Sequence, residues 1–168
     1  KGRDFAAKDS FGFAVVVRGP PDHEVAAIGA FSDDDLGLNS GSAYVFRCNG
    51  KRQWVFEQKL TASDGIAQDQ FGLAVAIHSS PTLEYVLIGA PMADSGLILN
   101  TGAAYLFTNA LPGTPSWSQT VKFQAADSRT QDQFGTAVSV TEFVAIVGNY
   151  LDDAIGLNSG SAYLFRNN

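Results

Sequence analysis

Short apolar runs separated by polar, glycine-rich turns fill the chain from end to end. FAVVV, VAAIGA, AYVF and WVFEQKL follow one another in the first third, rich in Val, Ile, Phe and Tyr. Runs of this length bounded by Gly, Asn, Asp or Ser predict short β-strands. No window sustains apolar residues at helical spacing over three turns, so the expectation is all-β. Asn49-Gly50, between AYVF and WVFEQKL, predicts a type I′ hairpin turn, in which both central residues take positive φ.

The pattern then repeats, which changes the reading of everything else. DSFGFAVVV from Asp9 returns as DQFGLAVAI from Asp69 and DQFGTAVSV from Asp132, so Phe-Gly recurs after 60 and then 63 residues. Second runs end in Gly-Ala or Gly-Asn (VAAIGA, YVLIGA, VAIVGN), and third runs are NSGSAYVF, NTGAAYLF and NSGSAYLF. Two repeats continue into a fourth run, WVFEQKL from Trp54 and WSQTVKF from Trp117; the third stops at AYLFRNN. The unit is a four-stranded antiparallel meander, with repeats at approximately 4–63, 64–126 and 127–168. That predicts eleven strands in one domain, the third repeat lacking its outer strand. The inner strands are apolar nearly throughout, so each sheet must be covered on both faces. Radial stacking does this, giving a β-propeller, whereas a two-layer sandwich is the alternative. Gly12, Gly29, Gly72, Gly89, Gly135 and Gly148 stand at the ends of inner strands, where backbones crowd toward a common axis.

Phe11-Gly12 with Ile28-Gly29-Ala30, and Phe71-Gly72 with Ile88-Gly89-Ala90-Pro91, resemble the FG-GAP repeat of integrin alpha heads and of many secreted bacterial and algal proteins. Phe134-Gly135 with Val147-Gly148-Asn149 is the third copy, departing only at Asn149. The flanking DQFG and NSGSAYVF look closer to the bacterial type. The resemblance implies propeller blades, an extracellular or cell-surface setting, and adhesion or binding rather than catalysis. A closed ring of six or seven such blades needs about 360–420 residues. Part of a larger ring is therefore the expectation, with closure by copies of the chain as the alternative. Either way SAYLF would leave a sheet edge open unless something pairs with it.

Composition narrows the partners. The 168 residues carry 11 basic and 17 acidic side chains, a net charge of −6 that argues against nucleic acid. No apolar run approaches the roughly 20 residues of a spanning helix, so membrane insertion is not expected. Lone Cys48 allows no internal disulfide.

Candidate chemistry rests on aspartate. Nine of the 13 form three columns repeated in every unit: Asp4, Asp64, Asp127; Asp9, Asp69, Asp132; and Asp34, Asp94, Asp153. A catalytic carboxylate should be singular, so a repeated one reads as a turn cap bonding backbone N–H groups. Calcium is the sharper alternative, because it takes six to eight oxygen ligands from such loops. The integrin-type calcium loop is not matched between the first two strands, which are joined by RGPPDHE, HSSPTLE and TE. The candidate metal ligands are instead Asp33, Asp34, Asp35 and Asn39, and Asp152, Asp153 and Asn158, between the second and third strands. No cofactor other than calcium is expected.

His23 and His78 have no nucleophile placed to use them and read as surface histidines. Cys48, beside the hairpin, reads as an exposed thiol, and Arg47, Lys51 and Arg52 as a solvated tip. Trp54 and Trp117 occupy equivalent places and read as packing between blades, or as a platform for sugar rings. The loops that differ between repeats, Arg18–Glu24, His78–Glu84 and Leu111–Ser116, are the expected partner face. The expected function is a non-enzymatic module that presents these loops to a protein partner. Glycan recognition, alone or as the accessory domain of an enzyme, and self-assembly into an extracellular filament are the alternatives.

Overall fold

The computed structural model describes residues 6–166. Eleven strands and no helix occur among them. Blade one is β1 (Val15–Arg18), β2 (Val25–Ala30), β3 (Ser42–Cys48) and β4 (Trp54–Leu60). Blade two is β5 (Ala74–Ser79), β6 (Glu84–Ala90), β7 (Ala103–Asn109) and β8 (Ser118–Phe123). Blade three is β9 (Ala137–Val140), β10 (Val144–Asn149) and β11 (Ser161–Arg166). Each is an antiparallel meander in chain order, giving sheets of four, four and three strands. The three lie side by side, with β5 touching β1 and β2, and β9 touching β5 and β6; they do not close into a ring.

This arrangement explains why the inner strands lack polar alternation. Along β6, Val86 and Ile88 enter the core shared with blade one, while Tyr85 and Leu87 enter the core shared with blade three. All seven residues of β6 are buried. Each such side chain contributes about 1.5–3 kcal/mol by leaving water, on both faces of one strand. A lone blade would expose one or both faces, so neighbours are part of the fold.

Glycine sets how closely the blades approach. A Cβ on Gly29 would lie 1.9 Å from the carbonyl oxygen of Gly72, and one on Gly89 would lie 1.9 Å from that of Gly135. Parallel bridges between Gly41 and Phe71, and between Gly102 and Phe134, stitch each third strand to the next blade's Phe-Gly corner.

Two local expectations need correction. The β3–β4 connection is not a two-residue type I′ turn: Cys48 pairs with Trp54, so residues 49–53 form the loop. Gly50 and Arg52 take positive φ there and Asn49 does not. Asn49 instead accepts the Lys51 amide on its side-chain oxygen at 3.1 Å, an Asx turn. Cys48, the last residue of β3, is only 5% exposed rather than an open thiol. A register shift between Val45 and Phe46, repeated between Leu106 and Phe107, marks a bulge that no composition signal announced.

Candidate functional site

Two of the three aspartate columns are turn devices. In the remaining one Asp64 pairs with Lys122, Asp127 accepts the Tyr163 hydroxyl, and Asp4 lies outside the described residues. The buried carboxylates of Asp9, Asp69 and Asp132 accept backbone N–H groups three residues upstream, from Ala6, Ile66 (3.0 Å) and Arg129 (2.7 Å). Burial raises the pKa of Asp69 above the usual carboxylate range, against the opposing pull of the Ile66 amide. Asp34, Asp94 and Asp153 close the next turn by accepting the amides of Asn39 (2.7 Å), Asn100 (2.8 Å) and Asn158 (2.6 Å). In all three turns that Asn takes positive φ.

Asp33, Asp35 and Asp152 add a second layer. Asp33 accepts hydrogen bonds from Ser42 Oγ, Tyr44 Oη and Lys59 Nζ, each at 2.9 Å, and Lys59 also pairs with Asp35. The Lys59 ammonium thus sits between two of the candidate metal ligands. Asp152 accepts the Ala154 amide at 3.0 Å and the Tyr163 hydroxyl at 3.2 Å. Among the described residues no three His, Cys, Asp or Glu side chains gather in a way that could hold a metal ion. Burial raises the Tyr44 and Tyr105 hydroxyls well above their ordinary pKa, and Tyr163 to about 12, so all three stay protonated; Tyr44 donates to Asp33, and Tyr163 to Asp127 and Asp152.

One polar cluster was not foreseen. Arg47 lies within β3, not at the hairpin tip, and spans two blades. Its guanidinium donates to Glu57 of β4 at 2.8 and 3.1 Å and to Glu84 of β6 at 2.9 and 2.7 Å. Burial alone would lower its pKa, but the bonds to Glu84 and Glu57 outweigh this and raise it. The carboxylates are further shared: Glu57 accepts Trp117 Nε1 at 3.2 Å, and Glu84 accepts Ser79 Oγ at 3.2 Å and Asn109 Nδ2 at 3.3 Å. Asn109 in turn donates to the Thr114 carbonyl and accepts the Leu111 amide, each at 3.0 Å. Glu84 therefore ties blade one to two loops of blade two.

Those loops converge. The β1–β2, β5–β6 and β7–β8 connections surround a cleft of about 480 Å³, lined by Pro20, His23, Arg47, Ser80, Pro81 and Pro112. Three prolines hold its walls stiff, and half-buried Arg47, paired behind it with buried Glu84, is part of its lining. His23 is exposed at this cleft, whereas His78 is half-buried with its ring 6.1 Å from that of Tyr85. The tryptophans diverge: Trp117 is 5% exposed, its backbone bonded to Gln58 at 2.9 and 3.1 Å, while Trp54 is 50% exposed.

Radially neighbouring meanders, glycine-gated axial contacts and an interblade cleft made of loops define a β-propeller repeat protein. The chain belongs to the FG-GAP repeat family, whose model matches residues 2–46, 54–107 and 117–165. FG-GAP repeats are found in adhesion and binding proteins, commonly extracellular or at cell surfaces, and the fold is typically non-catalytic. A comparison with curated proteins gave no match. No helix among the described residues is long and apolar enough to cross a membrane.

Proposed function

We propose that this chain is a non-enzymatic binding or scaffolding module, working outside the cell or at its surface, that engages a protein partner through the interblade cleft. The supporting observation is that all three variable loops meet at one place, the two of blade two joined there through Glu84. Stiff proline walls reduce the ordering cost that a flexible loop would impose on binding. A photoreactive residue in place of Ser80 should crosslink a discrete extracellular protein. A Pro20→Ser, His23→Ala, Pro112→Ser chain should lose that product. Crosslinking that survives this triple change would refute the cleft as the partner face.

A second reading has its own support, because Trp54 lies open in a shallow depression beside Pro21, Asp22 and Arg52. There it could stack on a sugar ring. Quenching of Trp54 fluorescence by members of a glycan panel, absent in Trp54→Ala, would favour glycan recognition over protein binding.

A further inference from the structure

Asn49-Gly50 is the chain's single Asn-Gly pair, and both residues are exposed in the loop between β3 and β4. The Lys51 amide donates to Asn49 Oδ1 at 3.1 Å, and Asn49 Nδ2 donates to Gln53 Oε1 at 3.3 Å. A bond from the Asn49 amide to the Gln53 carbonyl at 3.0 Å holds the base of the loop. A side-chain oxygen bonded two residues onward folds its amide back across the intervening peptide, which carries Cγ toward the Gly50 nitrogen. The same Lys51 N–H polarises the Cγ–Oδ1 bond and faces the atom on which negative charge would develop. Gly50 N–H meets no acceptor among the described residues, and glycine has no side chain to shield it. Lys51 and Arg52, both exposed, favour an anion in this loop to a modest, salt-sensitive degree.

The other turn asparagines each lack a part of this arrangement. Asn109 makes the same turn, its Oδ1 accepting the Leu111 amide at 3.0 Å. It is fully buried, however, its Nδ2 is held by Glu84 and the Thr114 carbonyl, and Ala110 follows it. Asn39 and Asn158 precede Ser40 and Ser159, whose amides are committed to the Gly37 and Gly156 carbonyls at 2.9 and 3.0 Å. Asn100 precedes fully buried Thr101. Among the described residues, Asn49 alone combines a polarised carbonyl, an uncommitted neighbouring nitrogen and open solvent.

We propose that Asn49 is a self-modification site, at which the loop promotes loss of the side-chain nitrogen as ammonia. The Gly50 nitrogen gives its proton to hydroxide and bonds to Asn49 Cγ, and the charge passes to Oδ1 beneath the Lys51 amide. Collapse breaks the Cγ–Nδ2 bond, and the nitrogen leaves as ammonia after taking a proton from water. The cyclic imide that remains adds water. Opening at Cγ gives aspartate, and opening at the main-chain carbonyl gives isoaspartate, with the chain then running through Cβ. The net change consumes water and releases ammonia. It places a carboxylate beside Lys51 and Arg52. Asn49 also lines a depression of about 400 Å³ with Arg47, Phe56 and Glu57, so the new charge arises next to the interblade ion pairs. Because the step does not reverse, the modified fraction records the age of the chain. The reaction needs no partner and does not depend on the loop cleft.

Incubating the purified intact chain at neutral and mildly alkaline pH, then mapping its peptides by mass spectrometry, tests this. The peptide carrying residues 49 and 50 should gain about 1 Da, with stoichiometric ammonia, and faster as pH rises. Peptides carrying Asn39, Asn100, Asn109 and Asn158 should stay unchanged. The folded chain should react at least as fast as a free peptide of residues 46–56, because its turn is already set. Asn49→Gln, which demands a larger ring, should slow the gain by about tenfold or more while keeping the native circular dichroism spectrum. Lys51→Pro removes the N–H that Oδ1 accepts and should slow the folded chain about tenfold. Lys51→Ala keeps that N–H and should slow it no more than about twofold. No mass gain at residues 49 and 50, equal gain at the other asparagines, or a folded chain slower than the free peptide would each overturn the assignment. So would Lys51→Pro reacting as fast as Lys51→Ala, since the amide would then take no part in the step.

Discussion

Blade two and the outward side of blade one are built from the same sequence pattern, yet they differ in what that pattern meets. Phe71 and Phe134 are 0% exposed, each sealed between its own third strand and the preceding blade. Phe11 makes the same edge-on ring contacts, to Tyr44 at 5.4 Å and Phe46 at 6.4 Å, but is 41% exposed. Val75 and Ile77 pack into a core, while their counterparts Val15 and Val17 lie open. The glycines divide the same way: a Cβ on Gly72 or Gly135 would strike backbone at 2.2 or 2.3 Å, and one on Gly12 meets nothing within 4 Å. A repeat thus carries side chains whose purpose is supplied by its neighbour. Local sequence makes the strands; the junction makes the fold.

The sharpest way to break this comparison is to thicken an axial glycine. Gly89→Ala places a methyl 1.9 Å from the Gly135 carbonyl oxygen, where only backbone could yield. A loss of more than about 4–5 kcal/mol is expected, seen as failure to give a cooperative urea transition. Gly148→Ala, whose Cβ would meet the Ala137 side chain at 3.3 Å, should cost about 1 kcal/mol or less. Equal losses at the two sites would mean that the glycines serve strand conformation rather than blade approach. Next in size, Phe71→Ala should cost about 3–5 kcal/mol by cavity formation. Phe11→Ala should cost nearer 1 kcal/mol in the same denaturation assay.

What could be read in advance follows from how far each interaction reaches along the chain. The strands, the repeat and the capping aspartates were legible, because they depend on alternation and on contacts within about five residues. Asp34, Asp94 and Asp153 each find their Asn amide within that span or one residue beyond it. Arg47 was not legible: its partner Glu84 lies 37 residues away, in another blade. Assuming a two-residue turn after Cys48 also pushed Arg47 toward a tip that it does not occupy. The loops around the cleft could be named as variable, but their convergence depends on the angle between blades, which no local pattern encodes.

Arg47→Met tests that long-range link directly. It leaves Glu57 and Glu84 buried and facing one another without their cation, so about 3 kcal/mol should be lost. Met keeps most of the stem's packing, which separates charge from volume. Thr108 stands where Arg47 does in the adjacent blade, without an ion pair among the described residues, so Thr108→Val should leave the unfolding midpoint nearly unchanged. Loss at both positions would make the strand, not the interblade charge, responsible.

Asn149 sharpens the comparison in the opposite direction, because here a junction position is worse than its equivalents. Ala30 and Ala90 fill this place in the other blades, each fully buried. Asn149 is equally buried, yet both its amide oxygen and its amide nitrogen lack a hydrogen-bond partner among the described residues. Desolvating an unpaired amide costs about 1–3 kcal/mol, partly offset by the packing of its extra atoms. Asn149→Ala should therefore raise stability by about 1 kcal/mol, shifting the urea midpoint upward at unchanged slope. Asn149→Leu should not reproduce the gain, since the position is sized for alanine in both complete blades. A destabilised Asn149→Ala chain would show that the amide holds partners that the isolated sheet geometry does not reveal.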